Sequence, residues 1–151
     1  MIGELTELLD IAMDREIASQ AFYIAGQKKT RDQGAIELMK ELAAQELKHL
    51  EWIKNFKESG LSSEDWSPKN LSALNISEYL VDANIAEGAW LQDVITTAMK
   101  REQHSVEFYS QMMQMMNSET GKRLCERLSS EELNHKNKLE IFYHDYFLKE
   151  N

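Results

Sequence analysis

The 151-residue chain contains one cysteine, one proline and six glycines. A lone thiol, Cys125, can form neither an internal disulfide nor a thiolate cage, so folding needs no oxidising compartment. So little proline and glycine leaves scant material for the turns of a β-rich fold, and the expected class is all-α. Positive charge is short as well. Against 26 Asp and Glu stand 17 Lys and Arg, a net charge of −9 that repels phosphate backbones and anionic lipid surfaces. Nucleic acid and membranes are therefore not expected as partners. No apolar run approaches the ~18 residues of a membrane span, and the opening Met1–Asp10 has no basic stretch ahead of an apolar core. A cytoplasmic location is expected, with one domain over 1–151.

What the chain does have is periodicity. Apolar residues recur at three- and four-residue steps over roughly 3–28, 33–57, 88–116 and 119–146, the pattern of four amphipathic helices. Between the second and third, the segment 58–87 collects Ser59-Gly60, Ser62-Ser63, Pro68 and Asn75-Ile76-Ser77, where turn and cap residues cluster. Within it, 77–81 predicts a short extra helix.

The chain also repeats itself. A shift of 86 residues lays 5–56 on 91–142 without a gap, with 14 identities among 52 pairs: Leu5, Ala12, Met13, Arg15, Glu16, Ser19, Phe22, Tyr23, Leu38, Leu42, Glu46, Leu47, His49 and Phe56. The pattern is that of a duplicated helical hairpin. On the first helix the seam Leu5, Leu9, Ala12, Glu16, Ser19, Tyr23 keeps to one face, and the third repeats it as Leu91, Ile95, Ala98, Glu102, Ser105, Tyr109. The second reads Leu38, Leu42, Glu46, His49, Ile53, Phe56 and the fourth Leu124, Leu128, Glu132, His135, Leu139, Phe142. Charge interrupts each apolar stripe near its middle.

A carboxylate buried alone costs several kcal/mol and either takes a proton or finds a cation. Glu16, Glu46, Glu102 and Glu132 would meet at one level of a low-dielectric interior, and no lysine or arginine lies on the four seams to offset them. Two divalent cations neutralise four carboxylates, and His49 and His135 complete a pair of coordination shells. Each Glu-x-x-His places its two side chains on adjacent turns of one face, while Glu16 and Glu102 can cap or bridge the ions. This oxygen-rich set suits iron or manganese better than structural zinc, and two iron ions are expected. The competing reading, glutamates facing water, requires all four stripes to be exposed at their middles at once.

Other residues carry less. Tyr23 and Tyr109 stand seven residues beyond Glu16 and Glu102, either hydrogen-bonding an opposite carboxylate or serving as plain core aromatics. His104 and His144 read as surface histidines, the run Met112–Met116 as gap-filling at a bundle end, and Cys125 as an inert buried thiol.

As a set, Glu16, Glu46-Leu-Lys-His49, Glu102 and Glu132-Leu-Asn-His135 resemble the ferritin-like di-iron superfamily, and within it the rubrerythrin-type domain. Tyr23 and Tyr109 resemble the tyrosines of rubrerythrins. The resemblance implies a four-helix bundle with a long crossover between helices two and three, a dinuclear iron centre, and chemistry with hydrogen peroxide or oxygen. In that scheme Glu16 and Glu102 are terminal ligands, Glu46 and Glu132 bridge, His49 and His135 give one nitrogen per iron, and the tyrosines orient carboxylates or gate protons. Full rubrerythrins also carry a four-cysteine rubredoxin module that a one-cysteine chain cannot build, so an external donor such as a rubredoxin-like protein is expected. The position of an additional rubrerythrin glutamate is Ser105, and Glu107 projects about 140° round the helix from Glu102. A peroxidase working as a homodimer or small homo-oligomer is the leading expectation. A ferroxidase serving iron storage or delivery, and a metal-free interaction bundle, are the alternatives.

Overall fold

The computed structural model describes residues 2–61 and 90–149. Four long helices carry almost all of them: α1 (Ile2–Gln27), α2 (Gln33–Asn55), α3 (Leu91–Met115) and α4 (Glu119–Tyr143). Among the described residues there is no strand. The crossover and the short helix expected at 77–81 lie outside the described residues.

The two hairpins are closed in the same way. Asp32, in extended conformation, accepts the Ala35 N–H at 2.9 Å and caps α2, and Ser118 accepts the Gly121 N–H at 2.9 Å and caps α4. The caps are 86 residues apart, the repeat offset, so this function survived at a position where the residue itself changed. Each satisfies a helix-end donor that would otherwise have no intrahelical partner. Beyond their α-helical ends, α2 and α4 each continue into a π-helical turn, Phe56–Gly60 and His144–Leu148. At Gly60 the chain closes on the Phe56 ring: a Cβ there would lie 2.5 Å from Phe56 Cδ2.

Within each hairpin the helices lie close, α1 along α2 and α3 along α4, and the hairpins meet through α1–α3 and α2–α4. The core is divided. One apolar cluster gathers Leu5, Leu9, Ile53, Phe108, Met112 and Leu128 with Met115, Met116 and Cys125. The other gathers Phe22, Met39, Leu42, Ile95, Ala98 and Leu139. The buried polar residues of the four seams fall between these clusters in sequence and space. The methionine run thus fills one cluster, as its helical spacing predicts, and Cys125 is buried in the same cluster and forms no disulfide.

Replacing either cap, Asp32→Ala or Ser118→Ala, is expected to cost about 1 kcal/mol of stability, whereas Asp32→Ser costs little. Denaturant unfolding of the three variants measures both effects.

Candidate metal centre

The glutamates do not face water. Glu16, Glu46, Glu102, Glu132, His49 and His135 are each at most 2% exposed. Nearly every other seam position is buried too, with Leu38, Leu91, Leu124 and Phe142 half-buried towards the ends.

At mid-height these six side chains form two groups whose ligand-type atoms lie within 4.8 Å of one another: Glu16, Glu46, His49 and Glu132 in one, Glu46, Glu102, Glu132 and His135 in the other. Glu46 and Glu132 belong to both. The histidines cross between hairpins, with His49 Nδ1 2.8 Å from Glu132 Oε1 and His135 Nδ1 3.0 Å from Glu46 Oε1. Their rings stack nearly parallel with centroids 5.4 Å apart.

The atoms left over define what would fit. Both oxygens of Glu46 and Glu132, Oε2 of Glu16 and Glu102, and Nδ1 of both histidines are buried with no aligned hydrogen bond. Buried polar atoms are normally satisfied, and these carboxylate oxygens and imidazole nitrogens converge on one place. That donor chemistry could hold a metal ion.

The charges strain against one another. Burial, then the neighbouring carboxylates, push Glu46 and Glu132 well above the ordinary 4.5. Burial also pushes Glu16 up, but contacts with His49, Glu46 and Tyr109 outweigh it and leave this carboxyl lowered. Burial pulls His49 down, yet the carboxylates of Glu132 and Glu16 carry it up to about 11.

The tyrosines tie the hairpins together. Tyr23 on α1 donates its hydroxyl to Glu102 Oε1 on α3 at 2.5 Å, and Tyr109 on α3 donates to Glu16 Oε1 on α1 at 2.5 Å. Burial, then the adjoining glutamates, raise both phenols well above 10, so they remain protonated donors. Each bond occupies one carboxylate oxygen and leaves the other free.

Two residues missed by the seam pattern stand beside the site. Arg15 and Arg101 precede the seam glutamates by one residue, yet they are only 4% and 5% exposed. Arg15 Nη2 donates to Ser105 Oγ at 2.8 Å and its guanidinium covers Phe108, while Arg101 Nη2 donates to Ser19 Oγ at 3.1 Å and covers Phe22. The seams themselves hold no lysine or arginine, yet two arginines one residue off them are buried within the bundle. A long side chain can start beside the apolar stripe and still turn into the interface. The available signal was the repeat, since arginine, serine and phenylalanine are kept in both copies. Ser105, where rubrerythrins tend to carry a glutamate, thus receives an arginine.

The remaining candidates stay outside the cluster. His104 is half-buried, His144 is exposed beside Asp145, and Glu107 is exposed and accepts from Gln103. No helix among the described residues is long and apolar enough to cross a membrane.

The fold is shared with solved structures. A two-domain protein of Anabaena variabilis with DJ-1/ThiJ/PfpI-like and ferritin-like domains superposes with a TM-score of 0.71 at 12% identity. That match covers 100% of this chain and 39% of the Anabaena protein, so the chain spans well under half of that protein's length. A hypothetical protein of Pyrococcus furiosus superposes with a TM-score of 0.68 at 22% identity, covering 93% of this chain and 88% of the other. No curated protein matches the chain in sequence. The rubrerythrin family model matches residues 7–143, nearly the whole described bundle, and the chain therefore belongs to the rubrerythrin family, within the ferritin-like superfamily.

Proposed function

We propose that this protein is a non-haem di-iron oxidoreductase that reduces hydrogen peroxide, or oxygen, with electrons from a separate donor protein. The observation that carries the reading is the set of buried carboxylate oxygens and imidazole nitrogens without hydrogen bonds between the hairpins. Glu46 and Glu132, whose oxygens make no aligned hydrogen bond and which belong to both groups, would bridge two ions. Glu16 and Glu102, each with Oε1 held by a tyrosine, would offer Oε2 alone as terminal ligands. His49 and His135 would add one nitrogen to each ion. Imidazole with carboxylate favours iron, with manganese the alternative.

Bound there, two ferrous ions would supply one electron each, enough to reduce one hydrogen peroxide to two waters with two protons. The chain's own residues arrange the rest. Tyr23 and Tyr109 hold the terminal carboxylates in one orientation, and the two apolar clusters flank the polar layer. Arg15 and Arg101, buried beside Ser105 and Ser19, bring positive charge into the same layer, where Arg101 interacts electrostatically with Glu102 and Glu46. The single cysteine leaves re-reduction to an external partner such as a rubredoxin-like protein. A homodimer or small homo-oligomer in the cytoplasm completes the reading.

Anaerobic loading with ferrous iron is expected to give close to two ions per chain, and Glu46→Ala or Glu132→Ala to abolish it. Peroxide should then oxidise the loaded protein rapidly. Oxygen consumption with continued iron uptake would favour storage instead, and no oxidation by either would refute the redox reading.

Metal binding should also release protons. Glu46, Glu132 and His49 bind protons more tightly folded than unfolded, so chelator-stripped protein loses stability as pH rises above the ordinary carboxylate value of 4.5. The His49 contribution is complete below its ordinary 6.5 and disappears as pH passes about 11. Glu16 acts oppositely, but only as pH falls below 4.5. Metal addition is expected to restore the melting temperature and acidify a weakly buffered solution, and a pH electrode with thermal unfolding tests both.

A further inference from the structure

The repeat is symmetrical at the cluster and unsymmetrical one residue behind it. His49 turns Nδ1 towards the buried carboxylates and Nε2 outward to Glu131, whose Oε1 is 3.1 Å away. Glu131 is 29% exposed, in contrast to the sealed Glu132 beside it. Its second oxygen lies 3.6 Å from Arg127 Nε, the Arg127 guanidinium covers the Trp52 ring at 4.0 Å, and Trp52 stands 5.2 Å from the His49 ring. Glu131 is therefore held in place from outside while it holds His49 from behind.

Moved by the repeat offset, the same neighbourhood has entirely different chemistry. Gln45 takes the place of Glu131, Glu41 that of Arg127, and Lys138 that of Trp52. Lys138 and Glu41 pair with each other at 2.5 Å. Although a ring nitrogen of His135 lies within 4.8 Å of the Glu131 carboxylate, of the two histidines only His49 hydrogen-bonds it, and no side chain among the described residues hydrogen-bonds His135 through Nε2. A carboxylate accepting from an imidazole N–H fixes the tautomer, aims the other nitrogen's lone pair and makes the ring a better donor. A neutral amide cannot bring that charge.

We propose that Glu131 is a positioning residue that makes the two metal positions unequal, so that the ion ligated by His49 is held more tightly and fills before the ion ligated by His135. This inference rests on the dinuclear reading above, and it adds an order to the loading.

Cobalt(II), whose visible bands respond to each ligand set, tests it in the full chain. Wild-type protein is expected to titrate in two resolved steps, in both calorimetry and absorption. Glu131→Gln should weaken the tighter step by roughly 10- to 100-fold, leave the looser one in place and alter only the bands of the first. Gln45→Glu, which supplies the missing carboxylate behind His135, should tighten the second step until the two converge, and does not depend on the first variant folding. Circular dichroism checks that both variants retain their helices. One unresolved step in the wild type, two steps unmoved by Glu131→Gln, or equal weakening of both would overturn the inference while leaving the metal centre intact. A wild-type protein that binds no cobalt would remove the dinuclear reading, and the loading order with it.

Discussion

Carboxylate crowding at the middle of the bundle sets the terms for everything around it. Four glutamates with almost no solvent exposure, two of them with neither oxygen hydrogen-bonded, cannot all be charged without compensation. The fold answers with two arginines, two tyrosine hydroxyls and two imidazoles, and still leaves acceptor atoms converging on common points. Apolar packing fastens the helices on either side of this layer. The stability of the bundle and the chemistry of its waist are accordingly one electrostatic problem.

The compensating groups come from across the hairpin boundary. Tyr23 reaches Glu102, Tyr109 reaches Glu16, Arg15 reaches Ser105 and Arg101 reaches Ser19. Each bond joins α1 to α3, so this interface is stitched by polar contacts that simultaneously orient carboxylates. On the opposite interface His49 approaches Glu132 and His135 approaches Glu46, joining α2 to α4. Small errors in hairpin placement would misplace both kinds of contact at once, which makes the geometry mutually enforcing.

Much of this was readable from the chain because function and periodicity coincide at the seams. A glutamate that interrupts an apolar stripe at the same height in four helices is visible without coordinates, and the 86-residue offset separates kept positions from drifted ones. The tyrosines were half readable: spacing put them on the right face, and only packing decided that their hydroxyls meet carboxylates. Arg15 and Arg101 escaped because a seam is drawn by Cα position, whereas a guanidinium travels several ångströms from its Cα. Glu131 escaped for the opposite reason. It differs between the copies, so the comparison that exposed the core passed over it.

Neither four-member ligand group is complete within one half of the chain: the first takes three residues from the first hairpin and Glu132 from the second, while the other takes Glu102, Glu132 and His135 from the second and Glu46 from the first. A lone ancestral hairpin could thus have assembled such a centre only by pairing with an identical copy about a two-fold axis. Within one polypeptide the two halves are free to differ, as Glu131 and Gln45 do, whereas two copies of one chain cannot.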